Sequence, residues 1–280
     1  MADITDILLA TLRDTDRDRY LACLLSPAES RAPLAALYTF NAEIARVRDV
    51  VRDALPGEIR LQWWRDLIEG TAHGDAGANP VAVGLLAAID QYRLPRDTFL
   101  AMIDARIRDL YDDPITDRNE LEGYAGETAS ALIQLASLIL SAEDAPRSAQ
   151  TAGHAGVAQA IAGLILLLPL HRRRGQLHIP LDILAATGLD RESFLAGNDR
   201  DRISAAVEAF AGLGLDHLAK ARQSGAVSKA VFPAYLPIAL VEPVLRRASK
   251  ERASVLDKIV QPPQWRRQIS LMKAQALQRF

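Results

Sequence analysis

The sequence predicts an all-α fold, and three observations carry the prediction. Apolar residues recur at intervals of three and four along most of the 280 residues, the spacing that gathers them on one helix face. No run alternates apolar and polar residues between turn signals, as a half-buried strand would. The interruptions are short: GDAGANP (74–80), SAEDAPRS (141–148) and AGNDRD (196–201) read as interhelical loops and not as domain linkers. With no internal repeat, the expectation is one domain over residues 1–280, built from about eight to ten helices of typical length.

The elements follow in order. The opening MADITDILLATLRDTDRDRY scatters acids and has no basic segment ahead of an apolar run, so it does not read as a secretory signal. YLACLLSP continues as apolar helix, which makes Cys23 a packing residue. A single cysteine excludes an internal disulfide framework and suits a reducing compartment. PLAALYTFNAEIARV puts Leu34, Leu37, Tyr38, Ile44 and Val47 near one stripe, and the helical rhythm of YTFNAEIARVRDVVRD runs on to Asp53.

In LQWWRDLIEG, Trp63 and Trp64 face different directions on a helix. One belongs to the core and the other lines a cavity or an interface, although burial tendency favours core for both. DTFLAMIDARIRDLYDD carries Phe99, Met102, Ile103, Ile107 and Leu110 on one face. ELEGYAGETASALIQLASLIL offers Gly123, Ala125, Gly126, Ala129 and Ser130, small residues over which a second helix can approach closely. VAQAIAGLILLLPL (157–170) is shorter than the roughly 20 apolar residues of a membrane span and reads as a buried helix. RISAAVEAFAGLGLDHLAKARQ is a further helix. A basic amphipathic helix follows Pro263; it either closes the bundle, the favoured outcome, or lies on an anionic membrane surface.

A composition of 49% hydrophobic and 24% charged residues is enough for a large core, and a net charge of −2 provides no field that favours nucleic acid. There is no glycine-rich phosphate loop and no serine nucleophile elbow. His171 and His178 are seven residues apart with His154 upstream, a spacing that does not make a zinc set.

Five stretches in this order resemble the squalene/phytoene synthases: LLSPAESRAPLAALYTFNAEIARVRD, GEIRLQWWRDLIEG, IDARIRDLYDD, LEGYAGETAS and GVAQAIAGLILLLPLHRRRGQLHIPLDIL. The resemblance implies the isoprenoid synthase type of fold, a single large helical bundle around a central cavity. It also implies enzymes that join two prenyl diphosphates head to head. In that chemistry two aspartate-rich helical segments face each other, and their oxygens hold the Mg²⁺ that grips the diphosphate leaving group.

Matched residue by residue, the family aromatic stands at Phe40, but the window that should read Asp-Asp-x-x-Asp is Ala45, Arg46, Val47, Arg48, Asp49. Counted back from Pro180, the two aspartates of the second segment fall on Leu167 and His171. The Gly-Arg-x-Tyr-Leu-Pro tail reads GQLHIP, with Gln176 and His178 in the Arg and Tyr places.

The resemblance therefore implies a non-catalytic member with no catalytic residues, no metal and no cofactor. SPAESRAPLAALYTFNAEIARVRD, RLQWWRDLIEG and LPLHRRRGQLHIPLDI are similar to the assembly factor 6 branch of the family. That branch implies respiratory complex I subunits or assembly intermediates as partners. It also implies a cytoplasmic place with peripheral contact at the inner membrane, on the matrix side in a mitochondrion. An isoprenoid or phospholipid is the ligand the cavity would take. The alternative is an Mg²⁺-dependent prenyltransferase with degenerate motifs. The resemblance sets Tyr38, Phe40, Arg46, Asp49, Asp109, Tyr124, Gln159, His171 and Arg174 at the cavity as candidate ligand-binding residues.

Two Asp-x-x-x-Asp spacings remain, Asp49/Asp53 and Asp109/Asp113. The first is displaced by one helical turn, about 5.4 Å, which Mg²⁺ geometry does not absorb. Ordinary ion pairs with Arg48 and Arg52 are the favoured reading of that pair. Asp109 is either an inherited cavity acid or the partner of Arg106 or Arg108. Arg172, Arg173 and Arg174, with Arg46 and Arg48, either grip a phosphate headgroup from two sides or form a solvated turn after Pro169; the solvated turn is favoured.

Overall fold

The computed structural model describes residues 4–71, 76–111 and 113–280, and among them it has fifteen α-helices and no strand. The first group is α1 (Ile4–Thr15), α2 (Arg17–Leu24), α3 (Ala28–Ala45), α4 (Val47–Val50) and α5 (Ala54–Glu69). Next come α6 (Pro80–Tyr92), α7 (Arg96–Arg108), α8 (Arg118–Ala125), a π-helical turn (Gly126–Ser130) and α9 (Ala131–Leu140). The second half holds α10 (Ala149–Arg173), α11 (Leu181–Ala186), α12 (Arg191–Ala196), α13 (Arg200–Gln223), α14 (Val241–Glu251) and α15 (Gln264–Leu277). A 3₁₀ segment, Phe232–Leu240, leads into α14.

The helix ends are chemically marked. Asp16, Asn79, Asp117, Asp190 and Asp199 each accept a backbone N–H at a helix start, replacing bonds that the first turn cannot make internally. Gly70 and Gly197 close α5 and α12 in the left-handed conformation.

The helix count exceeds the expected eight to ten because some periodic stretches are cut without glycine or proline. α3 stops at Ala45, and Arg46 leaves helical geometry at φ −95° and ψ 0°. The stretch to Asp53 is thus a helix end, the single turn of α4 and a new start, not one helix. α11 and α12 are too short, at six residues each, to show a period. Of the loop expected over 74–80, residues 74 and 75 lie outside the described residues; 76–78 form a 3₁₀ turn ahead of the Asn79 cap.

The 25-residue α10 packs along α13 at the centre of the bundle. It is long and apolar enough to cross a membrane, unlike the shorter segment the sequence suggested, because the small residues 149–156 extend it toward its N-terminus. Here its residues Ala152, Ala155, Ala158, Ile161, Ala162, Ile165 and Leu168 are buried in the core. Around this pair, α1 packs on α3, α3 on α6 and α5 on α7. Cys23 is buried, and burial pushes its thiol pKa up, as befits a packing residue. α15 packs back on the 3₁₀ segment and α2 through Leu271 and Ala274, closing the bundle as favoured.

The small-residue run does admit a close neighbour, at Ser130. Its hydroxyl donates to the Gly153 carbonyl at 2.9 Å. A Cβ on Gly156 would stand 2.4 Å from the Ser130 backbone nitrogen and 2.5 Å from its Cα. Gly123 and Gly126, by contrast, face open space. Backbone cannot yield as a side-chain tip can, so Gly156→Ala should destabilise the protein by about 1–3 kcal/mol. Gly153→Ala, which meets nothing within 4 Å, should be neutral or stabilising by up to about 1 kcal/mol. Urea unfolding of the two variants checks the contrast.

Candidate functional site

A cavity of about 460 Å³ opens where the α1–α2 corner, α3, α10 and α14 meet. Its size is that of a small-molecule pocket. Leu132, Leu164, Leu167, Val241 and Val244 give it apolar wall. Its polar lining comes from Asp16 and the α2 residues Asp18 and Arg19, from Arg46 at the end of α3, and from Arg106 of α7. Tyr124 of α8, Gln159 of α10 and Arg267 of α15 complete that lining.

The lining carboxylates are engaged. Asp16 caps α2 through the Arg19 N–H at 3.0 Å and also pairs with the Arg19 guanidinium at 2.6 Å. Arg19 in turn lies over the Tyr38 ring, 5.7 Å from its centroid. Asp18 pairs with Arg267, and burial still raises the Asp18 carboxyl above its usual range. Behind the wall, Asp109 accepts from Arg106 Nη1 at 3.0 Å and from the Tyr124 hydroxyl at 3.0 Å. Arg106 also donates to the Tyr124 oxygen. Burial pulls the Arg106 pKa down, but Tyr124 and Asp109 outweigh it, so this guanidinium stays charged. Burial pushes the Tyr124 hydroxyl up, keeping it a neutral donor.

Two features of the arginines stand out. Arg106 Nε and Arg267 Nε are buried with no hydrogen-bond partner among the described residues. Arg46 is exposed at the rim and makes no ion pair among the described residues.

The nine candidate residues separate into groups. Arg46, Tyr124 and Gln159 line the cavity, and Asp109 stands behind Arg106 and Tyr124. Tyr38 and Phe40 sit in the packed core; Phe40 meets Trp64 edge-on at 5.0 Å and Phe99 at 5.7 Å. Asp49 and Arg174 pair with each other at 2.5 Å, away from the cavity lining. His171 is buried, its ring 4.2 Å from that of His178.

Several expectations are corrected. The partner of Asp49 is Arg174, not Arg48 or Arg52. Neither Asp-x-x-x-Asp spacing lies on a helix face: α4 ends at Val50 before Asp53, and α7 ends at Arg108 before Asp109. The basic run after Pro169 does not line the cavity; Arg173 and Arg174 are exposed at the turn that ends α10, as favoured, while Arg172 is held in place. Arg172 donates to the Leu195 and Ala196 carbonyls and pairs with Asp257, while Arg173 donates to the Pro169 carbonyl. Trp64 is core, whereas Trp63 is half-buried on a second hollow of about 530 Å³ with Arg46 and Arg60.

Sequence reading missed Asp16, Asp18, Arg19, Arg106 and Arg267 as cavity residues. The Asp-Arg-Asp-Arg start of α2 was a visible signal. The Asp18–Arg267 pair spans 249 residues and left none. Also unseen was a chain of three groups: His154 Nδ1 lies 3.2 Å from His217 Nδ1, and His217 Nε2 lies 3.3 Å from Glu122. Among the described residues, no three His, Cys, Asp or Glu side chains group as metal ligands.

An all-helical bundle around a partly charged cavity defines a protein of the isoprenoid synthase type. The chain belongs to the squalene/phytoene synthase family, whose model, Squalene/phytoene synthase, matches residues 12–273. Within that family it is similar to "NADH dehydrogenase (ubiquinone) complex I, assembly factor 6" of Rattus norvegicus and of Homo sapiens. Each is 32% identical over 243 residues, covering 86% of this chain and 73% of the relative. Its fold is similar to that of a dehydrosqualene synthase solved in complex with ligand. The TM-score is 0.80 at 15% identity, covering 98% of this chain and 96% of that one.

His171 gives the region a pH signature. Burial, then His178 and Arg174, lower its pKa from 6.5 to about 3. The unfolded chain protonates this ring below about pH 6.5 while the folded protein does not until about pH 3. Its contribution to stability is thus full above the upper value and falls on acidification between the two, by at most about 1.4 kcal/mol per pH unit. In urea unfolding, the stability lost between pH 7 and pH 5 should shrink by about 1–2 kcal/mol in His171→Gln.

Proposed function

We propose that this chain is a non-catalytic squalene/phytoene synthase family protein that supports assembly of respiratory complex I. It works peripherally at the inner membrane with complex I subunits or assembly intermediates as partners. The cavity is kept as a pocket for an isoprenoid or phospholipid. The likeness to assembly factor 6 proteins supports the partner reading.

One observation carries the non-catalytic part. Three positions where the family resemblance sets metal-binding aspartates do face the cavity, and they hold Ala45, Arg46 and Leu167. A methyl, a guanidinium and an isobutyl group offer no oxygen to a cation. The carboxylates that do line the cavity, Asp16 and Asp18, are paired with Arg19 and Arg267. The residues present do not fit a magnesium–diphosphate cluster, which needs free oxygen ligands in near-octahedral order. Loss of a single well-placed electrostatic stabiliser costs about two to three orders of magnitude in rate. With nearly the whole set replaced, and the one acid left in place, Asp49, paired with Arg174 away from the cavity lining, the alternative of a Mg²⁺-dependent prenyltransferase lacks chemical support at this cavity.

Deletion of the gene should lower the amount of fully assembled complex I on native gels, with the wild-type gene restoring it. Ala45→Trp, which fills the cavity wall, separates pocket from partner: if it restores assembly in full, the pocket is dispensable for the role. Undiminished complex I in the deletion strain would overturn the assignment.

A further inference from the structure

The cavity contains more cation than its own acids neutralise. Four guanidinium groups line it, those of Arg19, Arg46, Arg106 and Arg267. Three carboxylates answer them: Asp16, Asp18 and, behind the wall, Asp109. The cation left over is Arg46, exposed at the rim and without an ion pair among the described residues.

The paired arginines are also only half used. Arg106 and Arg267 each spend Nη1 on a carboxylate. The Nε of each is buried without a partner. A buried N–H with no acceptor is costly, and Nε with Nη2 forms the fork that grips an oxyanion in a bidentate way. The same cavity is walled by Leu132, Leu164, Leu167, Val241 and Val244.

We propose that the cavity binds a single-tailed amphiphile whose oxyanion head carries one negative charge, held by arginine and without a divalent cation. A carboxylate or a phosphodiester head meets that description. One uncompensated guanidinium balances one charge. A diphosphate brings more charge than the wall can neutralise without metal, and free oxygen ligands for metal are wanting. Arg46 sets the preference for a charged head, and the leucine and valine wall takes the tail. This inference rests on the reading of the cavity as a retained pocket and is independent of complex I, because it is tested on the purified protein alone.

The test is calorimetric titration of the purified chain in EDTA with two matched pairs of probes. Farnesoic acid is compared with farnesol, and lysophosphatidylglycerol with a monoacylglycerol of the same tail. In at least one pair the charged member should bind about tenfold more tightly than the neutral one, the scale of one charge-assisted hydrogen bond. Which pair shows it identifies the head. Arg46→Gln should bring that pair to within about twofold; as an exposed side chain with no ion pair among the described residues, Arg46 can be removed without unfolding the protein, which a thermal melt verifies. Equal affinity within both pairs, no binding of any probe, or binding that appears only when Mg²⁺ replaces EDTA would each overturn the proposal.

Discussion

Pairing between arginine and carboxylate inside a helical wall is the constraint on which the site depends. Asp18 and Arg267 join α2 to α15, the near and far ends of the chain. Asp109, Arg106 and Tyr124 tie the end of α7 to α8. Their side chains are mostly withdrawn from solvent, at 14–22% exposure for Arg267, Asp18, Arg106 and Asp109. Breaking a fully buried pair by removing one partner costs about 3–5 kcal/mol; these partly exposed pairs, which water still reaches, cost less. These contacts hold cavity and bundle closure together, so the site cannot drift without loosening the fold.

The same pairs decide what the cavity can bind. A carboxylate paired with a guanidinium is a poorer ligand for a divalent cation, because the neighbouring positive charge opposes the metal's own. Under the proposed reading, arginine holds the negative charge that metal holds in the family's enzymes. Arg46 stands where the family resemblance sets an aspartate, and it lines the cavity.

Helical class and core stripes were legible because they are written in local spacing. Leu34, Leu37, Tyr38, Ile44 and Val47 are all buried, as their periodicity required, and Cys23 packs as its neighbours implied. Ser130 was marked by the run of small residues around it. The break at Arg46 was not legible, because no glycine or proline announces it. The partners of Asp49, Asp18 and Arg172 were not legible either, since each lies between 85 and 249 residues away. Family resemblance located positions 45, 46 and 167 but could not say which acids the arginines had already claimed.

A crystal soaked with Mn²⁺ and a non-hydrolysable prenyl diphosphate analogue tests the central claim directly, because anomalous scattering locates each metal ion. The account predicts no anomalous peak in the cavity and unbroken Asp16–Arg19 and Asp18–Arg267 pairs. Metal ions seated on Asp16, Asp18 or Asp109 and bridged to the diphosphate would contradict it.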